Sequence, residues 1–533
     1  MDGKEIVGTW NRWDAQRSTA KSLVRQVYQY GLPRRGSVMS GQTPGADLQA
    51  ELFDSTFETA LERFATGLYD FMCPPGRSWR MVTPPIEHGR MEGEFGRSLL
   101  AISETLREES GKSNFPEAIY EAFLDLGSAG MATIEPSRGL DSSLEYTAHP
   151  YEQVTFAENH RGRVDSVMRK FTWTARQAVG EFGIDNVGKT IRDAYNEQGG
   201  VGRDKTFEIV HAAVPRTEFA GGTRDNLNMP VESTWVTVTD AETLRKSGWP
   251  QQRYLVCRFA KASGEKEGRS PGMTCLPDVK MVNMIEETVI VAAEHVVRPP
   301  ILVPDSAFLG TVKLEPGSLL YYRVNPINAA VKPEAFISGA QPAFGVEYAE
   351  SKRMIIKRAM YNDIFAILSD EKSRTATEVR GLLAEKLNLL GPNFGRLKVE
   401  LFDPMTRVDL SILSEQPYLL GGIPSAVLAM ANIRYTSTLA LAMEYAELTA
   451  MNDAMMFLSP FAEIDPTVWD NFSFDEISRE ISYKMCLPPR WLKSVTEVRA
   501  LREARMQQQA ADAQAQMMMQ VMDKQPAASM EAA

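Results

Sequence analysis

The chain has 533 residues, of which 44% are hydrophobic and 24% are charged, and its formal net charge is −11. That composition is typical of a globular protein of two to four domains. The acidic balance argues against a protein that attracts nucleic acid over its whole surface, although a local basic patch is compatible with it.

The residue types needed for common catalytic and metal sites are sparse. Five histidines occur, and the four cysteines are far apart in sequence and form no CxxC pair. We therefore expect no catalytic residue, no metal site, no cofactor and no disulfide framework. The N-terminus lacks the apolar core of a signal peptide, and no stretch of about 18 uncharged apolar residues predicts a membrane span. We expect a soluble chain with no membrane partner.

The first half of the chain alternates helical and extended patterns. Apolar residues at helical spacing predict helices over 8–30, 51–72, 94–110 and 115–130. Two regions of β-like runs follow, at 131–171 and 206–260, with helical patterning between them. This half is therefore predicted to be α+β.

The second half is predicted to be mostly helical, so that the whole chain is α+β and predominantly helical. Long helices are expected at about 277–297, 346–368 and 377–414. The region 298–333 is rich in proline and β-formers, which predicts an extended module. The tail, 496–533, is rich in Ala, Gln and Met, a composition that suits either contact between helices of several copies or a frayed terminus.

Residues 183–190, GIDNVGKT, match the pattern of a phosphate-binding P-loop. A working P-loop follows a buried strand, whereas the preceding TARQAVGEF predicts a helix. Asp185 also places a negative charge where phosphate would lie, and no Walker B run is convincing. We therefore interpret the match as a turn between two helices, with Gly183 capping the first. A P-loop NTPase or packaging motor remains the alternative.

Six basic residues are grouped in the predicted helix at 346–368 and in the polar stretch that follows it. They are Lys352, Arg353, Lys357, Arg358, Lys372 and Arg374. One interpretation is a solvated charged face, with Glu347, Glu350 and Asp363 as partners. The other is local contact with a phosphate backbone within an otherwise acidic protein.

The order of these features resembles one family, the head-to-tail connector or portal proteins of short-tailed bacteriophages. Five stretches carry the likeness, and they are collinear over about residues 10–500. They are DSTFETALERFATGLYDFMCPPGRSW (54–79), RKFTWTARQAVGEFG (169–183), GRSPGMTCLPDVKMVNMIEETVIVAAEHVVRPPILVPD (268–305), RTATEVRGLLAEKLNLLGP (374–392) and FGRLKVELFDPMTRVDL (394–410). No single stretch is diagnostic, but their combination is specific.

The resemblance implies a portal fold and a ring, usually of twelve subunits, at one capsid vertex, through which double-stranded DNA is packaged and ejected. By the order of elements it implies a wing (1–270 and 377–414), stem helices (271–297 and 346–368), a clip (298–345), a channel loop (369–376), a crown (415–500) and a C-terminal helical barrel or tail (501–533). The six basic residues would then supply most of the positive charge of the DNA channel. A non-portal ring adaptor of a virion or secretion system is a further alternative.

The resemblance also implies partners and a location. The partners would be other copies of the chain, DNA, the terminase large subunit, the major capsid protein, the scaffolding protein, and the tail adaptor and tail tube proteins. The location would be the portal vertex of the virion, after assembly in the cytoplasm of the host bacterium. The ATPase of such systems is the separate terminase, so this chain is not expected to be an enzyme.

Overall fold

The computed structural model describes residues 1–35, 52–74, 78–83, 94–140, 142–197, 199–216, 228–304, 318–322, 334–335, 342–366, 391–416, 431–436, 438–484, 493 and 495–523. The chain divides into two compact units. The first comprises Met1–Arg77 and Leu106–Ser425, and the second comprises Ser78–Thr105 and Ala426–Ala533. Within the described residues, the first unit contains three β-sheets and the second contains one.

Helices dominate the first part of the chain, as predicted. They are α1 (Gly3–Gln16), α2 (Ser18–Gly31), α3 (Thr56–Met72), α4 (Glu94–Lys112) and α5 (Phe115–Ser128), with strand β1 (Arg80–Thr83) between α3 and α4. The helix predicted over 51–72 from apolar spacing is confirmed as α3, in which Phe57, Leu61, Phe64, Leu68 and Phe71 are each at most 1% exposed. Their helical spacing places them on one stripe that faces the core.

The single helix predicted over 8–30 is in fact two helices, which meet at Arg17. This residue has φ −93° and ψ 2°. Its buried guanidinium donates to Glu267 at 2.6 Å and lies 4.4 Å from the centre of the Tyr151 ring. The chain therefore leaves helical geometry at the residue whose side chain is drawn into the core.

Two antiparallel sheets form the β part of the first unit. Their strands are β2 (Met131–Ser137), β3 (Glu145–His149), β4 (Val154–Glu158), β5 (Val164–Thr174), β6 (Thr206–Pro215), β7 (Val231–Thr237), β8 (Thr243–Trp249) and β9 (Leu255–Arg258). One sheet has the order β3-β2-β9, and the other runs in chain order from β4 to β8. Two short helices, α6 (Ala175–Phe182) and α7 (Lys189–Tyr195), connect β5 to β6. The predicted α+β character of this half is confirmed.

A buried histidine lies on the five-stranded sheet. The side chain of His211 in β6 is fully buried and stacks on the Trp235 ring with 3.8 Å between ring centres. One ring nitrogen is hydrogen-bonded to the Tyr254 hydroxyl at 2.6 Å, and the other to the Ser233 hydroxyl at 2.8 Å. Burial lowers the pKa of His211 to about 3, so the imidazole is neutral in the folded protein.

A long helix, α8 (Pro271–Val297), follows the sheets and confirms the helix predicted at about 277–297, although it begins earlier, at Pro271. Ser270 caps it, because its hydroxyl accepts a hydrogen bond from the Met273 N–H at 2.8 Å. Pro271 occupies the first turn, where a missing N–H costs no helical hydrogen bond. The chain then forms a small sheet in which β10 (Ile301–Pro304) pairs in parallel with β11 (Leu319–Tyr322) and antiparallel with β12 (Glu334–Ala335).

The helix predicted over 346–368 differs from the structure at both ends. It begins earlier, as α9 (Pro342–Ala359), and a turn separates it from the short helix α10 (Asn362–Ala366). The turn contains Tyr361 with φ +58°, in the left-handed region that bulky residues rarely adopt. No glycine or proline lies at this break, so the local sequence did not predict it.

The helix predicted over 377–414 is described from residue 391 onward, and it contains a wide turn. Residues 391–397 are α-helical, Lys398–Phe402 form a π-helical turn, and α11 (Asp403–Ser414) continues. The N–H of Asp403 donates to the carbonyl of Lys398, five residues back. Pro404 explains the turn, because its ring would clash with the carbonyl four residues earlier in regular α-helical register.

The second unit pairs distant parts of the chain. Strand β1 pairs antiparallel with β13 (Asn432–Tyr435), and Trp79 stacks on the Tyr435 ring at 6.2 Å. Three helices follow: α12 (Thr438–Ile464), α13 (Phe474–Lys484) and α14 (Val495–Asp523). Arg502 joins α14 to α13 through two 2.6 Å hydrogen bonds to Asp475.

Candidate functional site

The helices α8 and α9 form an antiparallel hairpin, which carries four of the six predicted basic residues. Lys352 in α9 pairs with Asp278 near the start of α8 at 2.8 Å. Closer to the other end, a Cβ added to Gly345 would lie 2.6 Å from Cγ2 of Val289. Glycine at position 345 therefore lets the two helices approach closely.

Arg353 connects three parts of the first unit. Its Nε lies 2.8 Å from Asp54, just before α3, and its Nη2 lies 2.5 Å from Glu286 in α8. A third carboxylate, Glu350, is 3.3 Å from Nη1. Burial lowers the pKa of Arg353, but its hydrogen bond to Asp54 and the charges around it raise the pKa by more. The guanidinium is thus held within the chain by three acids.

The remaining described basic residues are less constrained. Arg358 has an 83% exposed side chain and lies 3.7 Å from Asp363, itself 55% exposed, and such a pair contributes little to stability. Lys357 is half-buried, and no carboxylate of the described residues lies within 4.0 Å of it. Lys372 and Arg374 lie outside the described residues.

Charge is distributed unevenly along the hairpin. Because position 352 faces position 278, Lys357 and Arg358 lie at the end where α8 starts. At the opposite end, residues 286–297 contain three glutamates and residues 342–350 contain two, and neither stretch contains lysine or arginine. The hairpin therefore runs from a cationic end to an acidic end.

The hairpin exposes apolar side chains in addition to its charges. The exposed fractions reach 61% for Met284, 78% for Val297, 71% for Phe344 and 58% for Met354. Other exposed apolar residues on the two helices are Ile290, Val291, Val296, Val346, Tyr348 and Ile355. Monomeric proteins rarely expose extended apolar surface, and a helix that is apolar on several sides is normally buried. The hairpin therefore has the surface of a helix pair that packs against further protein.

The P-loop-like segment has the geometry of a turn between helices. The N–H of Gly183, at φ +82°, donates to Val179 and ends α6, and α7 begins at Lys189. The guanidinium of Arg192 donates to the carbonyl oxygens of Ile184, Asp185 and Val187. The loop thus directs three carbonyl oxygens at a cation, whereas a P-loop directs N–H groups at an anion. The prediction of a capped turn is confirmed.

Comparison with known proteins decides the family. The family model described as "Bacteriophage head to tail connecting protein" matches residues 3–492. The chain belongs to that family. The resemblance predicted from the sequence is therefore confirmed.

Two curated relatives of this connector chain are named as portal proteins. One is the "Probable portal protein" of Bordetella phage BPP-1, 26% identical over 531 residues, which are 98% of this chain and 94% of the relative. The other is the "Portal protein" of Salmonella phage epsilon15, 26% identical over 482 residues, which are 87% of this chain and 84% of the relative. Both comparisons point to a structural connector.

The sequence did not predict that Arg353 pairs with Asp54. It indicated Glu347, Glu350 and Asp363 as acidic neighbours of the basic group, and the last two do lie beside Arg353 and Arg358. Asp54 is 299 residues from Arg353, and no local pattern links two positions so far apart.

The described part of the connector has neither a cluster of metal ligands nor a membrane-spanning helix. Within the described residues, no three His, Cys, Asp or Glu side chains are grouped as metal ligands would be. No helix in the same part of the chain is both long and apolar enough to cross a bilayer.

Proposed function

We propose that the chain is the subunit of a portal ring at one vertex of a phage capsid, with the α8–α9 hairpin lining a channel for double-stranded DNA. The family and the names of its two relatives support the portal. The channel proposal is supported by the surface of the hairpin, which has exposed apolar residues and separate cationic and acidic ends.

The apolar surface supports a ring of identical copies. Apolar side chains exposed on one hairpin are covered when neighbouring hairpins pack beside it, and each buried side chain contributes about 1.5–3 kcal/mol. Head-to-tail contacts between identical chains close into a ring when the rotation between neighbours permits it. We propose about twelve copies, the number usual in this family.

The charge of the ring suits a conduit better than a DNA clamp. At −11 per chain, twelve copies carry a formal charge of about −132. Each phosphate that a protein neutralises adds affinity through counterion release, so a channel that lets DNA slide should make few such contacts. A mostly acidic wall with a few basic residues meets that requirement.

Lys357 and Arg358 are the strongest candidates for the positive charge that meets DNA. Arg358 is exposed and loosely paired, and Lys357 is not held by a described carboxylate. Lys352 and Arg353 belong to the same group, but both are held by carboxylates within the chain. Lys372 and Arg374 complete the proposed set.

The proposed subdomains follow the family order of elements. They are a wing (1–270 and 377–414), stem helices (271–297 and 346–368), a clip (298–345), a channel loop (369–376), a crown (415–500) and a C-terminal barrel (501–533). In this arrangement the clip docks the terminase large subunit and later the tail adaptor and tail tube proteins. The other proposed partners are the major capsid and scaffolding proteins, with assembly in the host cytoplasm and no enzymatic activity in this chain.

Charge reversal tests the channel, and axial electron microscopy tests the ring. The variant Lys357→Glu with Arg358→Glu should form rings with a central hole and melt normally, yet package or retain less DNA. The control is Arg176→Glu with Lys189→Glu, which makes the same charge change at exposed positions of α6 and α7. Equal DNA content in the two variants would contradict the channel assignment, and a chain that stays monomeric would contradict the ring.

A further inference from the structure

Two backbone irregularities lie on either side of residues 367–390. The first is the turn at Tyr361, with φ +58°, and the second is the π-helical turn Lys398–Phe402. Residues with such unfavourable geometry persist where surrounding contacts hold them, and they occur often at functional positions. Two consecutive residues contact the two turns: Phe259 contacts Tyr361, and Arg258 pairs with Glu400 in the π-helical turn.

The turn at Tyr361 is held by aromatic packing. The Tyr361 ring lies 6.4 Å from the centre of Phe64 in α3 and 6.0 Å from the centre of Phe259. Phe64 and Phe259 also contact each other edge to face at 5.6 Å, and both are at most 4% exposed. Neighbouring Met360 is fully buried, so the turn cannot shift without opening the core.

The π-helical turn is held by a buried ion pair. Arg258, with a side chain only 1% exposed, places Nη2 2.6 Å from Oε1 of Glu400 and Nε 3.2 Å from Oε2. The backbone N–H of Arg258 donates to the same Oε2 at 3.0 Å. On its other side the guanidinium pairs with Glu158 from β4 and donates to the Lys266 carbonyl at 3.1 Å. Such a charge-assisted, two-pronged contact fixes both position and orientation.

The two anchors are consecutive residues. Arg258 ends β9, where it pairs with Met131 of β2, and the N–H of Phe259 donates to the Gly130 carbonyl at 3.0 Å. Since consecutive Cα atoms are about 3.8 Å apart across a rigid peptide, neither residue can move far without the other. A displacement at either turn is therefore passed to a single site at the end of β9.

We propose that Arg258 and Phe259 are positioning residues that couple the Tyr361 turn to the π-helical turn, so that one point of the sheet fixes both ends of the intervening segment. The coupling itself requires nothing beyond the contacts described. Its consequence for DNA rests on the proposed function, in which that segment contains the channel loop. Arg258 and Phe259 would then fix the described residues on either side of the proposed channel loop.

Hydrogen–deuterium exchange on the full-length ring tests the coupling. The variant Glu400→Gln removes the charge by which the π-helical turn pairs with Arg258, keeps the Arg258–Glu158 pair and leaves the Tyr361 contacts untouched. We expect amide exchange to rise about tenfold at 391–402 and also at 360–366. In the reverse experiment Tyr361→Ala should raise exchange at 391–402, because coupling between two sites is reciprocal. Changes confined to each variant's own turn would overturn the proposal.

A control and a milder variant keep the test interpretable. Glu232→Gln removes a different ion-paired carboxylate, which lies in the five-stranded sheet 3.1 Å from Lys246 and 3.3 Å from the N-terminal ammonium, and it should change neither turn. If Glu400→Gln fails to assemble, Arg258→Lys keeps the charge but loses the two-pronged contact and should give the same two-turn response. Exchange at both turns in the control would count against a specific coupling.

DNA retention separates the coupling from the proposed function. If both turns respond and particles built from Glu400→Gln rings also lose DNA, the two proposals hold together. If both turns respond but DNA packaging and retention match wild type, the coupling stands and the channel position of this segment is wrong.

Discussion

Acid should destabilise the first unit through the buried imidazole of His211. Burial is the main cause of its low pKa of about 3; Arg169, Arg245 and His149 lower the pKa further, and Glu135 opposes them. An unfolded histidine has a pKa of about 6.5, so below that pH the unfolded chain binds a proton that the folded chain does not. The free energy of unfolding therefore falls as the pH drops.

The size of the effect follows from the two pKa values. At pH 7.5 the unfolded imidazole is mostly neutral, and its protonation lowers the free energy of unfolding by only about 0.1 kcal/mol. At pH 5.0 the pH is about 1.5 units below the pKa of the unfolded histidine, and its protonation lowers the free energy of unfolding by about 2 kcal/mol. The folded imidazole is neutral at both pH values, so this difference depends on the unfolded pKa.

Guanidinium unfolding at pH 7.5 and 5.0 measures the effect. His149 has a lowered pKa as well, so wild type should lose stability from both residues, and His211→Gln should lose about 2 kcal/mol less between the two pH values. The exposed His160→Gln is the matched control and should behave as wild type does. A His211→Gln variant with the full wild-type pH dependence would refute the buried neutral imidazole as the cause.

Two further predictions concern the hairpin and the P-loop-like turn. Gly345→Val should destabilise the hairpin by about 1–3 kcal/mol and reduce ring yield in electron micrographs, because its Cβ would meet Val289 at 2.6 Å. Gly180→Ala in α6, where a Cβ meets nothing within 4 Å, should instead stabilise the protein by up to about 1 kcal/mol, and an equal loss in both variants would contradict the packing argument. Calorimetric titration with Mg-ATP should give no binding heat with wild type or Lys189→Ala; heat that disappears in the variant would restore the nucleotide-site hypothesis.

The long helices were predictable because their signals are local. The apolar stripe of α3 has helical spacing, and so does the body of α8. The start of α8 was predicted at about 277, although Ser270 and Pro271 are a local start signal at its true beginning. The turn after Gly183 could also be predicted, since a helical pattern ended at a glycine. In each case, neighbours within a few residues carry the information.

The breaks within the predicted helices and the ion pairs were harder to predict, because they depend on tertiary contacts. Tyr361 adopts a left-handed conformation with no glycine or proline nearby, and the aromatic residues that hold it come from α3 and the end of β9. Arg353 is paired mainly with an aspartate 299 positions away. The π-helical turn was the exception, because Pro404 inside a predicted helix was a visible signal that the helix could not continue in regular register.

The π-helical turn Lys398–Phe402 also has a consequence for insertions and deletions in the gene. A wide turn absorbs one extra residue while the helical segments on both sides keep their orientation, since the surplus is taken up within that turn. Loss of one codon here, together with replacement of Pro404, would therefore give an ordinary α-helix with both flanking faces still directed at their original neighbours. The loss of one residue within α11 (Asp403–Ser414) would instead rotate the part of the helix after the deletion by about 100° relative to the part before it. That rotation would remove the apolar face of one part from the core.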